Sequence, residues 1–229
     1  SCFRDLPTKS KPMNYFFLPQ VPHLKSTTIL ANFPPTTCSS WDSQSVYVHA
    51  TFSTGRDWKV FFLQKIAAGD LISLRADDVP EKIPEGSGVF FFMYPKRLPE
   101  HLEVLPVDQF MESEPSWRGN IQLSSDTTSV SYQGEYPGHM LNVSNGKLLT
   151  FNPLIQTQPK VVTQLIVVSL LRSPDIKEGR LFVVHQVSGK IRKESSIFTN
   201  KCNLIDLSDL ENDSKDPLCL YSPDMVGIP

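Results

Sequence analysis

Ten consecutive residues, SYQGEYPGHM at 131–140, bring together two tyrosines, two glycines, a proline, a glutamate and a histidine. Just upstream, PSWRGNIQLSS at 115–125 adds Trp117 and Arg118. Flat aromatic faces set among amide, carboxylate and guanidinium groups suit a sugar ring. The apolar C–H face of the sugar stacks on Trp or Tyr, and its rim of hydroxyls needs polar partners. Gly134 and Gly138 let the backbone come close to a ligand. The sequence therefore predicts a ligand site in which Trp117, Tyr132 and Tyr136 stack or line the pocket, while Arg118, Gln133, Glu135 and His139 orient polar groups. The same run is also sound turn chemistry, and Tyr and Trp are ordinary sandwich-core residues.

Catalysis is harder to build from these residues. Glu135 and His139 are spaced to share a helix face, but Pro137 and Gly138 between them oppose a helix, and in an extended loop their side chains diverge. A saccharide-cleaving enzyme would need a second carboxyl roughly 5 to 10 Å from Glu135, and no sequence spacing supplies one. No G-x-S-x-G elbow and no glycine-rich phosphate loop occurs. His23, His49, His101 and His185 are isolated from one another, without the spacing of a metal site. The acidic stretch DLSDLENDSKDP at 206–217 has an EF-hand look, but its register sets Ser214 where glycine is required and Leu220 where the bidentate glutamate belongs. No catalytic residue, metal or cofactor is assigned.

Composition narrows the partners. A formal charge of −2, a pI near 6.2 and basic residues scattered among acids give no footprint for nucleic acid. The longest apolar run, at 161–171, is interrupted by Thr163, Gln164 and Ser169 and is too short to span a membrane. Cys2, Cys38, Cys202 and Cys219 allow two disulfides in any of three pairings and show no C-x-x-C spacing. The sequons at Asn142 and Asn212 lean towards export over a cytoplasmic location.

The elements that must position the candidate residues read as strands. QSVYVHATFS at 44–53 alternates Val46, Val48, Ala50 and Phe52 against Tyr47, His49 and Thr51. It heads an expected three-strand meander that continues through residues 57–66 and 71–79. GVFFFMYP at 88–95 is apolar on every residue but the last turn of its frame, which predicts a strand covered on both faces. Residues 118–125 and 128–136 form an expected hairpin through SDTT. Nineteen prolines and eleven glycines spread along the chain suit short strands. Short helices are expected only around 100–105, 106–112 and 203–213.

The predicted fold is all-β, an antiparallel, jelly-roll-like β-sandwich. Residues 1–26 form an irregular proline-rich segment packed on a sheet edge, 27–112 a sandwich unit, and 113–229 a second unit or a continuation of the first. The function this supports is a non-catalytic ligand-binding module, with carbohydrate as the foremost ligand class. A structural or protein-interaction subunit with an exposed aromatic surface is the alternative, and a saccharide-active enzyme the third reading.

Overall fold

A computed structural model describes residues 10–32, 45–110, 119–142, 162–210 and 216–226. In chain order the strands are β1 (Ser10–Pro12), β2 (Asn14–Leu18), β3 (Lys25–Ala31), β4 (Val46–Ser53), β5 (Trp58–Ile66) and β6 (Leu71–Leu74). Next come β7 (Val89–Tyr94), β8 (His101–Leu102), β9 (Asp108–Phe110), β10 (Gly119–Ser124), β11 (Ser129–Gln133) and β12 (Tyr136–Pro137). The series closes with β13 (Gln164–Val167), β14 (Glu178–His185), β15 (Ile191–Phe198), β16 (Asn203–Asp206) and β17 (Leu218–Tyr221). Helical structure among the described residues is confined to two 3₁₀ turns, Ala76–Asp78 and Gly138–Asn142. The protein is all-β and sandwich-like, its ladders antiparallel. No helix among the described residues is long and apolar enough to cross a membrane.

A six-stranded sheet in the order β12-β2-β7-β4-β5-β8 lies at the centre. Its sequence requires two covers. In β7 a period of two sends Val89, Phe91 and Met93 to one face and Phe90 and Phe92 to the other, and all five are buried. On the first face they join Phe16, Leu18, Val48, Ala50 and Phe52, closed over by Leu30 and Leu74 of a four-stranded sheet, β11-β10-β3-β6. Gly119 permits that approach, because a Cβ there would run into the ring of Phe16.

The second face carries Tyr15, Phe17, Trp58, Val60, Phe90 and Phe92, covered by Leu105, Leu141, Val168 and Leu170. Two large buried side chains on this face satisfy their polar tips with backbone carbonyls, as the cost of burial demands. The Trp58 indole donates to the Arg172 carbonyl at 2.9 Å, and the Tyr15 hydroxyl donates to the Pro106 carbonyl at 2.5 Å. A third cluster joins the β13–β16 ladder to the sheet β15-β14-β17. Strand β13 serves both cores: Leu165 and Val167 belong to the third cluster, while Ile166, with Val168 just beyond the strand, packs into the second.

Several expectations are corrected here. The stretches read as helices hold β8, β9 and β16, because two-residue to four-residue ladders override the weak helical spacing of those segments. The meander breaks after β5: β6 pairs with β3 in the other sheet. The N-terminal segment is not irregular throughout, since β2 lies inside the central sheet between β12 and β7 and its aromatics fill both cores. Prolines 19 and 22 stand in the loop after it. The hairpin of β10 and β11, and the full burial of the Phe90–Phe92 run, follow the sequence reading.

His49, in β4 at a bulge after Val48, is wholly buried. Its Nε2 accepts the Leu98 amide at 3.2 Å, and its ring stacks on Phe92 at 5.2 Å. Burial, reinforced by the nearby Arg97 charge and partly opposed by a backbone hydrogen bond with Tyr47, lowers its pKa from 6.5 to about 4. Between those values the unfolded chain binds a proton that the folded chain refuses. Stability from this site is complete above pH 6.5 and falls as the pH drops, by about 3 kcal/mol at pH 4. Urea denaturation at pH 7 and pH 4 will show the wild type losing about 2–3 kcal/mol more than His49→Asn. Equal losses in the two proteins would contradict a buried neutral imidazole.

Candidate functional site

The hairpin that carries the candidate residues is set by its turn and register. Ser125 Oγ accepts the Thr127 and Thr128 amides, closing the turn, and β11 then runs back with Tyr132 opposite Ile121 and Gln133 opposite Asn120. Strand β11 is an edge of the four-stranded sheet, and β12 is an edge of the central sheet, where Tyr136 pairs with Tyr15. Gly134 and Glu135 are all that link the two. The chain steps from one layer of the sandwich to the other at this point, and the layers stand apart around the step.

A cleft of about 160 Å³ occupies that gap. Tyr132, Gln133, Gly134, Glu135 and Tyr136 form one side of it. Phe17 of β2, Ile121 of β10, and Ile166 and Val168 form the rest. Four of the residues expected from the sequence thus meet at one place. Trp117 and Arg118 lie outside the described residues. His139 belongs to the 3₁₀ turn Gly138–Asn142, and its side chain lies outside the described structure.

The four differ in character. Tyr132 is 44% exposed and offers an aromatic face at the mouth. Partial burial, with a smaller contribution from Cys202, raises the pKa of its hydroxyl. Tyr136 is only 3% exposed and belongs to the second core, where burial pushes its pKa up to about 12 against a backbone hydrogen bond with Leu170. It is therefore a wall of the cleft and not a stacking platform. Gln133 is exposed at the end of β11. Glu135 contributes the one carboxyl among the described lining residues, and its Oε2 is buried with no hydrogen-bond partner among the described residues.

The apolar walls were not foreseeable as site residues. Phe17, Ile166 and Val168 come from segments far from 117–139 in the chain, and each reads simply as a buried strand position. Ile121 is the exception in signal, since the expected hairpin sets it beside Tyr132.

A second, more open cavity of about 520 Å³ lies nearby, with Leu18, Pro19, Val21, Ser26, Cys202 and Leu204 on its walls. Ile166, on the cleft, and Leu204, on this cavity, are cross-strand partners in the β13–β16 ladder. Burial raises the Cys202 thiol pKa, and Cys202 and Cys219 are free thiols. In the acidic tail, Lys193 pairs with Asp209 at 2.9 Å and holds its pKa low. Among the described residues no three His, Cys, Asp or Glu side chains gather as a metal site would need. Comparison with protein-family models, curated proteins and solved structures found no match to this chain.

Two substitutions separate exposed edge from core. Tyr136→Ala removes a buried ring and will cost about 3–5 kcal/mol in urea denaturation. Tyr132→Ala will cost less than about 1 kcal/mol, as a half-exposed edge residue should. Equal large losses would mean that Tyr132 is core and that the cleft is merely imperfect packing.

Proposed function

We propose that this protein is a non-catalytic binding module that grips a segment of another protein at the cleft between β11 and β12. The observation that carries the reading is an open edge strand ending at a small, mainly apolar hollow. All five residues of β11 are exposed, and among the described residues β10 is its one partner. Its sequence, SVSYQ, has neither the charge nor the proline with which proteins blunt an unpaired edge. Such an edge supplies backbone hydrogen bonds to an added strand, and a pocket beside it supplies side-chain selection.

Carbohydrate, which the sequence alone favours, is the weaker fit. Stacking needs an open aromatic face, and of the described candidates only Tyr132 has one. At about 160 Å³ the cleft is close to the roughly 150 Å³ cavity that holds a single benzene ring, whereas a pyranose is larger and rimmed with hydroxyls. Gln133 and Glu135 are few polar partners for such a rim. An enzyme acting on saccharides would need a carboxyl pair, and Glu135 stands alone among the described lining residues.

The test is a random-peptide display panel run beside a glycan array, with wild type and Tyr132→Ala. The expected result is a family of extended peptides enriched by the wild type and lost with the variant. A saccharide hit abolished by the same substitution would overturn the protein-segment reading in favour of carbohydrate.

A further inference from the structure

We infer that the cleft selects an arginine side chain from the partner segment, with Glu135 as its counter-ion. This rests on the reading of the cleft as a site for another protein's segment. A carboxylate oxygen shut away from water without a donor is costly, and a ligand that donates to it would offset that cost. Glu135 Oε2 is buried, it accepts no hydrogen bond from the described residues, and it borders a hollow walled by Phe17, Ile121, Ile166 and Val168. No lysine, arginine or histidine is among the described residues lining that hollow.

The complement to such a site has an apolar stem, a cationic or donor-rich head, and the bulk of one side chain. Arginine meets all three conditions. Its methylenes can lie on the aliphatic walls, and its planar guanidinium is weakly hydrated, stacks on aromatic faces and forks onto carboxylates. Tyr132 at the mouth provides the face and Glu135 the acceptor. Lysine would meet the charge but hydrates more strongly and cannot fork or stack in the same way. Gly134 keeps the entrance clear: a Cβ there would stand 2.9 Å from Ile121 Cδ1, at the flexible end of that side chain. Gly134→Ala would therefore narrow the cleft at little cost to the fold.

The experiment uses the full chain labelled at isoleucine δ1 methyls, with Ile121 and Ile166 as reporters. It is titrated with N-acetyl-arginine amide, N-acetyl-lysine amide and N-acetyl-norleucine amide. The arginine derivative should produce saturable shifts at both methyls, with an affinity at least about tenfold above that of the neutral norleucine derivative and above lysine. Glu135→Gln should erase the preference for arginine while leaving the free spectrum and melting temperature unchanged or improved, because the buried Oε2 has no partner among the described residues to lose. Gly134→Ala should weaken all three ligands together. If norleucine binds as tightly as arginine, or if Glu135→Gln leaves the preference intact, the counter-ion role is overturned while the binding-module reading stands. If Glu135→Gln melts several degrees lower, Glu135 is a structural group and the inference fails. If none of the three ligands moves either methyl, the cleft admits no side chain, and both the inference and the reading beneath it fall.

Discussion

The central sheet has no wet face, and the rest of the molecule is arranged around that fact. A strand such as β7, with consecutive residues Val89 to Met93 all buried, cannot sit on a sheet that water touches. Two separate covers must exist, and the chain supplies them from interleaved segments. The first is a second sheet built from β3, β6, β10 and β11. The other is a patchwork of short pieces around Leu105, Leu141 and Leu170, tied down by the backbone acceptors that Trp58 and Tyr15 find there. At about 25 cal/mol per Å² of apolar surface, leaving either cover off would forfeit far more than a domain's net stability.

Covering one sheet with another creates a geometric problem where the chain passes between layers. At Gly134 and Glu135 the passage is as short as it can be, and the two layers stand apart around it. The edges on either side are treated differently. Strand β12 is two residues long and ends in Pro137, which leaves little to pair with. Strand β11 is longer, uncharged and exposed along its whole length. The cleft therefore arises from the architecture itself: an aromatic from the edge strand, a carboxylate at the crossing whose buried Oε2 has no partner among the described residues, and apolar walls borrowed from three other strands. Ile166 belongs to a strand whose alternate residues serve the third cluster, and Val168 follows directly after it, so the floor of the cleft is braced from behind.

Much of this was legible in the sequence because it is local. The period of two in 44–53, the uniformly apolar 88–95 and the SDTT turn each declare themselves within about ten residues. The run Tyr132 to Tyr136 could be picked out as a site because its residue types are unusual for a plain turn. What was illegible is non-local. Nothing in NYFFLP announces that β2 would be an inner strand, since that depends on β12 arriving more than a hundred residues later. Nor could the sequence distinguish Tyr132 from Tyr136. The two rings sit four residues apart with the same chemistry, and only the step between layers turns one outward and the other into the core. The short helices expected near 100–112 and 203–213 failed for a related reason: brief apolar spacings fit either period, and strand partners elsewhere decided the outcome.

The central claim is that a chain sealed on both sides of its main sheet leaves the edge strand β11 exposed beside a hollow, with β10 its one strand partner among the described residues. Amide hydrogen exchange followed by mass spectrometry measures this directly. Peptides covering β7, hydrogen-bonded on both sides by β2 and β4, should exchange only through global unfolding. Those covering β11 should exchange at least about a hundredfold faster, through local opening of the hairpin edge. Protection of β11 equal to that of β7 in the free protein would mean that the edge is already covered, and the account given for the cleft would be wrong.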